Sequence, residues 1–401
     1  MRNFAFACLI AALCTSAAIA ETPTPSSAPE ASTAAQATAA PPTAAAPVAF
    51  VYVSSNPANS STNQIDAYTA SAEGKLTPVT GSPFADDVTS MAVNGKYLFA
   101  STRDGIYVAA FRIGSNGALQ WSKSTDIVQF NPDDCGNSGP LFLDHTGATL
   151  YDMEFRSDCS NNSYQSLAVN TSTGQLHNLG SSNPDEWLYL PASFIGNNVY
   201  AYTAGCLGYM YWEIDGYKRS STGALSQIDI TAPTPTPKSG DFFCPSQTAA
   251  DLTNHVAITL QAVNQDFNPD GPARLATYTA GSAGNLRTAS TLANMPTTAV
   301  GAVTDLKMGP WGNLLAVAGA AGLQVFHFNG ANPITADTGL LTKNEIDQMF
   351  WDNDHHLYAI SQSAGKLYVF TVTATSAVQA PGSPYTIAHP QNIIVQPKAS
   401  K

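Results

Sequence analysis

The sequence predicts an all-β fold: a seven-bladed β-propeller of four-stranded antiparallel blades, with the ring closed by a C-terminal strand that joins the first blade. Three counts along the chain predict it. A β-branched and aromatic second-strand run recurs at Phe50–Val53, Tyr97–Ala100, Leu150–Met153, Val199–Tyr202, Val256–Thr259, Leu314–Val317 and Leu357–Ile360. A later turn recurs at Gly74, Gly117, Gly174, Gly223, Gly284 and Gly330, with a degenerate copy near Ser376. A strand preceding each second strand is read at Ser90–Val93, Pro140–Leu143, Pro191–Phe194, Ala249–Leu252, Asp305–Met308, Gln348–Trp351 and Asn392–Val395. Repeats of about 40 to 60 residues, each with four short strands, are the mark of propeller blades. The last inner strand lies at the end of the chain, while the first repeat has none of its own. Pairing the two removes the open edges that a linear array would leave.

Taken in order, the chain opens with Arg2, an apolar run from Phe4 to Leu13, and Ala18-Ile19-Ala20 before Glu21. This is the three-part pattern of a secretory signal cleaved after Ala20. The run is far shorter than the roughly 20 residues needed to span a bilayer. Residues 21–47 form a Pro/Ala/Thr-rich tract without hydrophobic periodicity, expected to be a disordered linker. Residues 48–401 are assigned to the propeller. A periplasmic or secreted location follows, and no later segment has transmembrane length.

The first repeat reads as three strands. Phe50-Val51-Tyr52-Val53 is followed by a polar loop, then by Ile65-Asp66-Ala67-Tyr68, a turn at Ser71 to Gly74, and Leu76 to Val79. The phrase V-Y-V-x-x-N … I-D-A-Y-T … G-K-L-T-P-V-x-G-S-P-F, carried by Val51 to Phe84 and echoed by APGSPY at Ala380 to Tyr385, resembles a known repeat. It is similar to that of the lactonase-family seven-bladed propellers, the 6-phosphogluconolactonase-like and YVTN-type proteins. The resemblance implies the same ring and, as an activity, metal-independent opening of a lactone at the channel mouth. Repeat motifs encode scaffold rather than chemistry.

Composition narrows the partners. Seventeen basic residues against 29 acidic ones give a formal net charge of −12, made more negative by loss of Arg2 with the leader. That disfavours nucleic acid and anionic membrane. It also disfavours a phosphorylated substrate, which wants clustered Arg and Lys. The expected partner is a small polar molecule or an envelope or extracellular protein, bound by a monomer without a cofactor.

Four cysteines survive export: Cys135, Cys159, Cys206 and Cys244. An even count in an oxidising compartment reads as disulfides, and none has the spacing of a metal ligand. Placement on the blades favours Cys135–Cys159 and Cys206–Cys244, with Cys159–Cys206 as the alternative. Both bonds would staple the rim that carries the long insertions. Asp86, Asp87, Asp133, Asp134, Asp185, Glu186, Glu345 and Asp347 recur there beside Arg103, Arg156 and Trp187, so a ligand could meet those last three side chains. Asp144-His145, Asn94-Gly95 and Asp352 to His356 fall at first-to-second-strand turns, where such residues serve the turn itself.

A period of two along the inner strands assigns one apolar face to blade packing and the other to the central channel. On that reading Asp251, Asp305 and Lys307 are the ionisable channel residues and the catalytic candidates, with Gln348 and Asn392 completing a polar arc. Two functions remain open. One is a ligand- or partner-binding scaffold using the stapled rim. The other is a lactone hydrolase with Asp251 or Asp305 as base and a cationic anchor from Arg103, Arg156 or Lys307.

Overall fold

The computed structural model describes residues 46–57, 60–127, 136–156, 163–182, 191–207 and 211–398. Among them every regular element is a strand, and the strands form seven antiparallel sheets. Blade two (Val88–Val93, Tyr97–Thr102, Tyr107–Ile113, Leu119–Asp126) shows the pattern: consecutive strands pair from the channel outward. Blades three to seven repeat it, with inner strands Leu141–Leu143, Ser193–Phe194, Phe242–Ala250, Val303–Met308 and Gln348–Trp351.

Blade one is the exception that closes the ring. Ala49–Ser55 pairs on one side with Gln64–Ala70 and on the other with Pro390–Pro397, whose register sets Val51 against Val395 and Val53 against Ile393. All seven residues of Ala49–Ser55 are buried. The first and last strands of the propeller therefore share one sheet, as the strand count predicts.

Blade sheets stack face to face, and a sheet covered on both faces must be apolar on both. Buried apolar side chains of the described residues gather into seven clusters, each shared by two adjacent blades. This corrects the expected division of the inner strands. Ile393 and Val395 pack towards blade seven, whereas Ile394 packs towards blade two. The alternation separates two blade faces rather than a blade face from a channel face, because the channel sees each inner strand edge-on.

Tyrosines lock the stack from outside the channel. The Tyr52, Tyr151 and Tyr202 hydroxyls donate to the Gly117, Gly223 and Gly284 carbonyls of the next blade at 2.9, 2.7 and 2.8 Å. Gly223 has φ +105°, and a Cβ there would lie 2.2 Å from Thr149 Oγ1. The recurrent turn glycine thus admits both a left-handed backbone and close approach of the neighbouring blade.

The leader and nearly all of the linker lie outside the described residues, as do Cys135, Cys159, Asp133, Asp134, Asp185, Glu186 and Trp187. Among the described residues no helix is long and apolar enough to cross a membrane.

Candidate functional site

The inner strands of all seven blades line a central cavity of about 740 Å³. Both parities of a strand reach it, as with Met91 and Ala92 or Ile393 and Ile394. Asp305, Lys307, Gln348 and Asn392 all line it, so the structure brings together four of the five channel residues expected from the sequence.

Asp251 is the fifth, and it is not in the lining. Blade five's inner strand ends at Ala250, and Ala250 pairs with Val256. Asp251 begins the hairpin: its carboxylate accepts the Thr253 and His255 backbone N–H groups at 2.9 and 3.0 Å and contacts His255 Nδ1 at 3.1 Å. Asp352 does the same in blade seven, accepting the Asp354 and His356 N–H groups at 2.7 and 2.9 Å. Asp144 caps the blade-three hairpin through Thr146 Oγ1 at 2.9 Å. Asp251 therefore belongs with the turn residues, and the expected inner strand of blade five was offset by two positions. Leu252, assigned by that offset to packing, is 62% exposed.

With the register corrected, one position per inner strand explains the polar arc. An innermost strand has a free edge whose N–H groups need acceptors. Asn392 Oδ1 accepts the Met91 N–H at 3.0 Å, Ser90 Oγ the Leu141 N–H at 2.9 Å, Asp305 Oδ2 the Met349 N–H at 2.8 Å, and Gln348 Oε1 the Ile393 N–H at 2.7 Å. Each bond crosses to the next blade. Gln247 occupies the same position in blade five and donates to the Thr304 carbonyl at 3.0 Å. Gln247 was missed from sequence, although aligning Asp251 with Asp144 and Asp352 would have placed it.

Pro140 and Pro191 hold this position in blades three and four, and a proline side chain cannot bond. Between blades four and five, Ser193 Oγ donates to the Thr248 carbonyl at 2.8 Å instead. Between blades three and four, Asp144 and Arg219 form an ion pair at 2.6 Å, with side chains 0% and 15% exposed.

Asp305 is the most heavily engaged group of the lining. Besides the Met349 bond, its Oδ1 accepts the Leu306 N–H at 2.9 Å and meets Lys307 Nζ at 3.2 Å. Asp347 also lines the cavity, and its Oδ2 accepts the Gln362 N–H at 2.6 Å. His145 stands at the channel end with its ring 6.1 Å from that of Phe194. Partial desolvation at the channel end lowers its pKa from the ordinary histidine value, with the neighbouring Asp144 carboxylate opposing.

Of the described rim residues, Asp347 belongs to this lining, whereas Asp86, Asp87, Arg103 and Glu345 do not. Arg103 donates to the Ser61 carbonyl and approaches Asp87 at 4.0 Å, bracing blade two against the blade-one loop. Burial raises the Asp86 pKa. Arg156 ends a strand whose side chain there lies outside the described residues. Cys206 and Cys244 form a disulfide with Cα atoms 5.3 Å apart, joining blade four to the start of blade five's inner strand. The alternative pairing of Cys206 with Cys159 is thereby excluded.

The sequence matches no protein-family model and no curated protein. Solved structures do match. The periplasmic gluconolactonase PpgL of Pseudomonas aeruginosa is 13% identical, over 86% of this chain and 98% of that one, with a TM-score of 0.62. A Bacteroides uniformis protein provisionally described as a 6-phosphogluconolactonase is 10% identical, over 87% and 99%, at TM-score 0.62. A Lactobacillus plantarum protein of unspecified activity is 11% identical, over 87% and 99%, at 0.59. At the level of the fold, this chain is a seven-bladed propeller like these lactonase-type structures.

Proposed function

We propose that the protein is an exported binding propeller whose central channel receives a small organic molecule with a polar head, beneath a rim braced by Cys206–Cys244. The observation that carries this reading is the engagement of Asp305: two backbone N–H groups and Lys307 already occupy its carboxylate. A general base must turn a lone pair towards water or substrate, and three of the roughly four acceptor sites of this carboxylate are committed within the fold. A binding channel needs only fixed polar groups around a cavity of a few hundred Å³. The leader pattern and the disulfide support export, to periplasm or medium, and the monomeric ring needs no second copy to complete its site.

The contact between Lys307 and Asp305 inside the channel favours one second reading, a metal-independent lactone hydrolase. Lys307 would polarise the lactone carbonyl. Asp305 would take a proton from the attacking water, and the ring oxygen would leave with that proton. Asp251 caps the adjoining hairpin and is given no part in this step. PpgL, named a gluconolactonase, lends the reading its reaction class.

Thermal-shift titration and lactone turnover separate the two. On the binding reading, neutral polar ligands raise the melting temperature, while a panel of sugar and aliphatic lactones opens no faster than in buffer. Turnover above background that disappears in Asp305→Asn would establish the hydrolase instead.

A further inference from the structure

All inner strands run in the same direction, so a residue's place along its strand gives its depth in the channel. Of their first lining residues, at the disulfide end, five are polar (Thr89, Gln247, Thr304, Asp347 and Gln391), and blades three and four begin with Gly139 and Pro191. Their last are apolar: Leu143, Phe194, Met308, Phe350 and Ile394. The 740 Å³ cavity is therefore layered, hydrogen-bonding at one end and hydrocarbon-like at the other. Asp305 is paired with Lys307, whereas Asp347 accepts the Gln362 N–H and keeps its negative charge. The chain's net charge of −12 repels anions at long range.

We infer that the channel ligand is an uncharged amphiphile, with a hydroxylated or carbonyl-bearing head in the polar layer and an apolar tail in the belt. This rests on the binding reading and specifies its ligand class. The head draws on the amides and hydroxyls of the upper layer and on Lys307, whose ammonium has three donors. The tail covers Leu143, Met308 and Phe350, which the blades leave half-buried, while Phe194 and Ile394 back the belt from the cores.

Two probe series test it on the mature protein by calorimetry, below micelle concentrations: alkyl β-glucosides from methyl to octyl, and γ-lactones from γ-valerolactone to γ-decalactone. The expected result is an affinity gain of about threefold for each added methylene in at least one series, the amount that burying a methylene gives when slightly incomplete. Octanoate should bind at least tenfold more weakly than the uncharged octyl probe. Met308→Gln and Leu143→Asn, each checked for an unchanged melting transition, should flatten the chain-length dependence and spare the shortest probes. Either variant suffices if the other does not fold. Binding of the shortest probes without any chain-length gain overturns the amphiphile and leaves the binding reading standing. No binding in either series overturns both. A chain-length gain untouched by both substitutions removes the belt as the tail site.

Discussion

The Asp305 carboxylate accepts the Met349 backbone N–H at 2.8 Å, and this bond joins blade six to the free edge of blade seven. A side chain that looks catalytic in sequence is thus a clasp. Asn in its place keeps an acceptor, whereas Ala leaves a buried N–H unpaired, which costs about 1–3 kcal/mol. Denaturant unfolding should show Asp305→Ala destabilised by about that amount and Asp305→Asn by less. Equal losses in the two variants would show that the acceptor does not matter.

Ring closure makes an equally direct prediction. Deleting residues 390–398 removes the strand that pairs with Ala49–Ser55 and takes Ile393, Ile394 and Val395, which are 1%, 8% and 0% exposed, out of the cores on either side of blade one. The truncated protein should lose its cooperative melting transition, because both neighbouring cores open at once. A transition unchanged in temperature would contradict the shared sheet.

The junction of blades three and four carries a proline at the clasp position and depends on Asp144–Arg219. Arg219→Met strands a fully buried carboxylate, and removing one partner of a buried pair costs about 3–5 kcal/mol. Replacing both residues with apolar ones should recover much of that loss. Chemical denaturation of the single and double variants measures both effects.

Reducing Cys206–Cys244 frees a loop of sequence separation 38. Removal of such a bond costs about 2–4 kcal/mol. The Cys206→Ser and Cys244→Ser variants should each melt lower than the oxidised parent and match each other. A parent insensitive to reductant, with variants equally stable, would show that the staple does not restrain the unfolded chain.

His145 contributes to the pH dependence with a definite sign. Its pKa is lowered in the folded protein, so the unfolded chain binds the proton more readily. That linkage removes stability as pH falls through the ordinary histidine range, near ~6.5, and leaves stability untouched above it. Melting curves at pH 7.5 and 5.5 should therefore show a smaller acid loss for His145→Gln than for the parent. An equal loss would place the acid sensitivity on other groups.

The fold was legible in the sequence because each blade repeats the same local instructions. Val51-Tyr52-Val53 states a buried strand, Gly74 states a tight turn, and Asn392 to Val395 states the missing inner strand. The channel was legible only in part. Asp305, Lys307, Gln348 and Asn392 were read correctly as lining, since their strands could be aligned. Asp251 was misread because Ala249-Ala250-Asp251-Leu252 mimics an inner strand in its apolar spacing, while hydrogen bonds to Thr253 and His255 make it a hairpin cap. The clasps could not be read at all. A bond from one blade's side chain to the next blade's backbone exists only once the ring has placed two distant segments side by side, as with Met91 and Asn392.

One measurement bears most directly on the claim that the channel binds rather than reacts. Asp305→Asn and the parent should be compared in one titration with an uncharged channel ligand, alongside turnover of the lactone panel. The account predicts that the variant keeps the parent's affinity within a few-fold and that neither protein accelerates lactone opening. Lactone turnover by the parent that is lost in Asp305→Asn, with affinity retained, would contradict it.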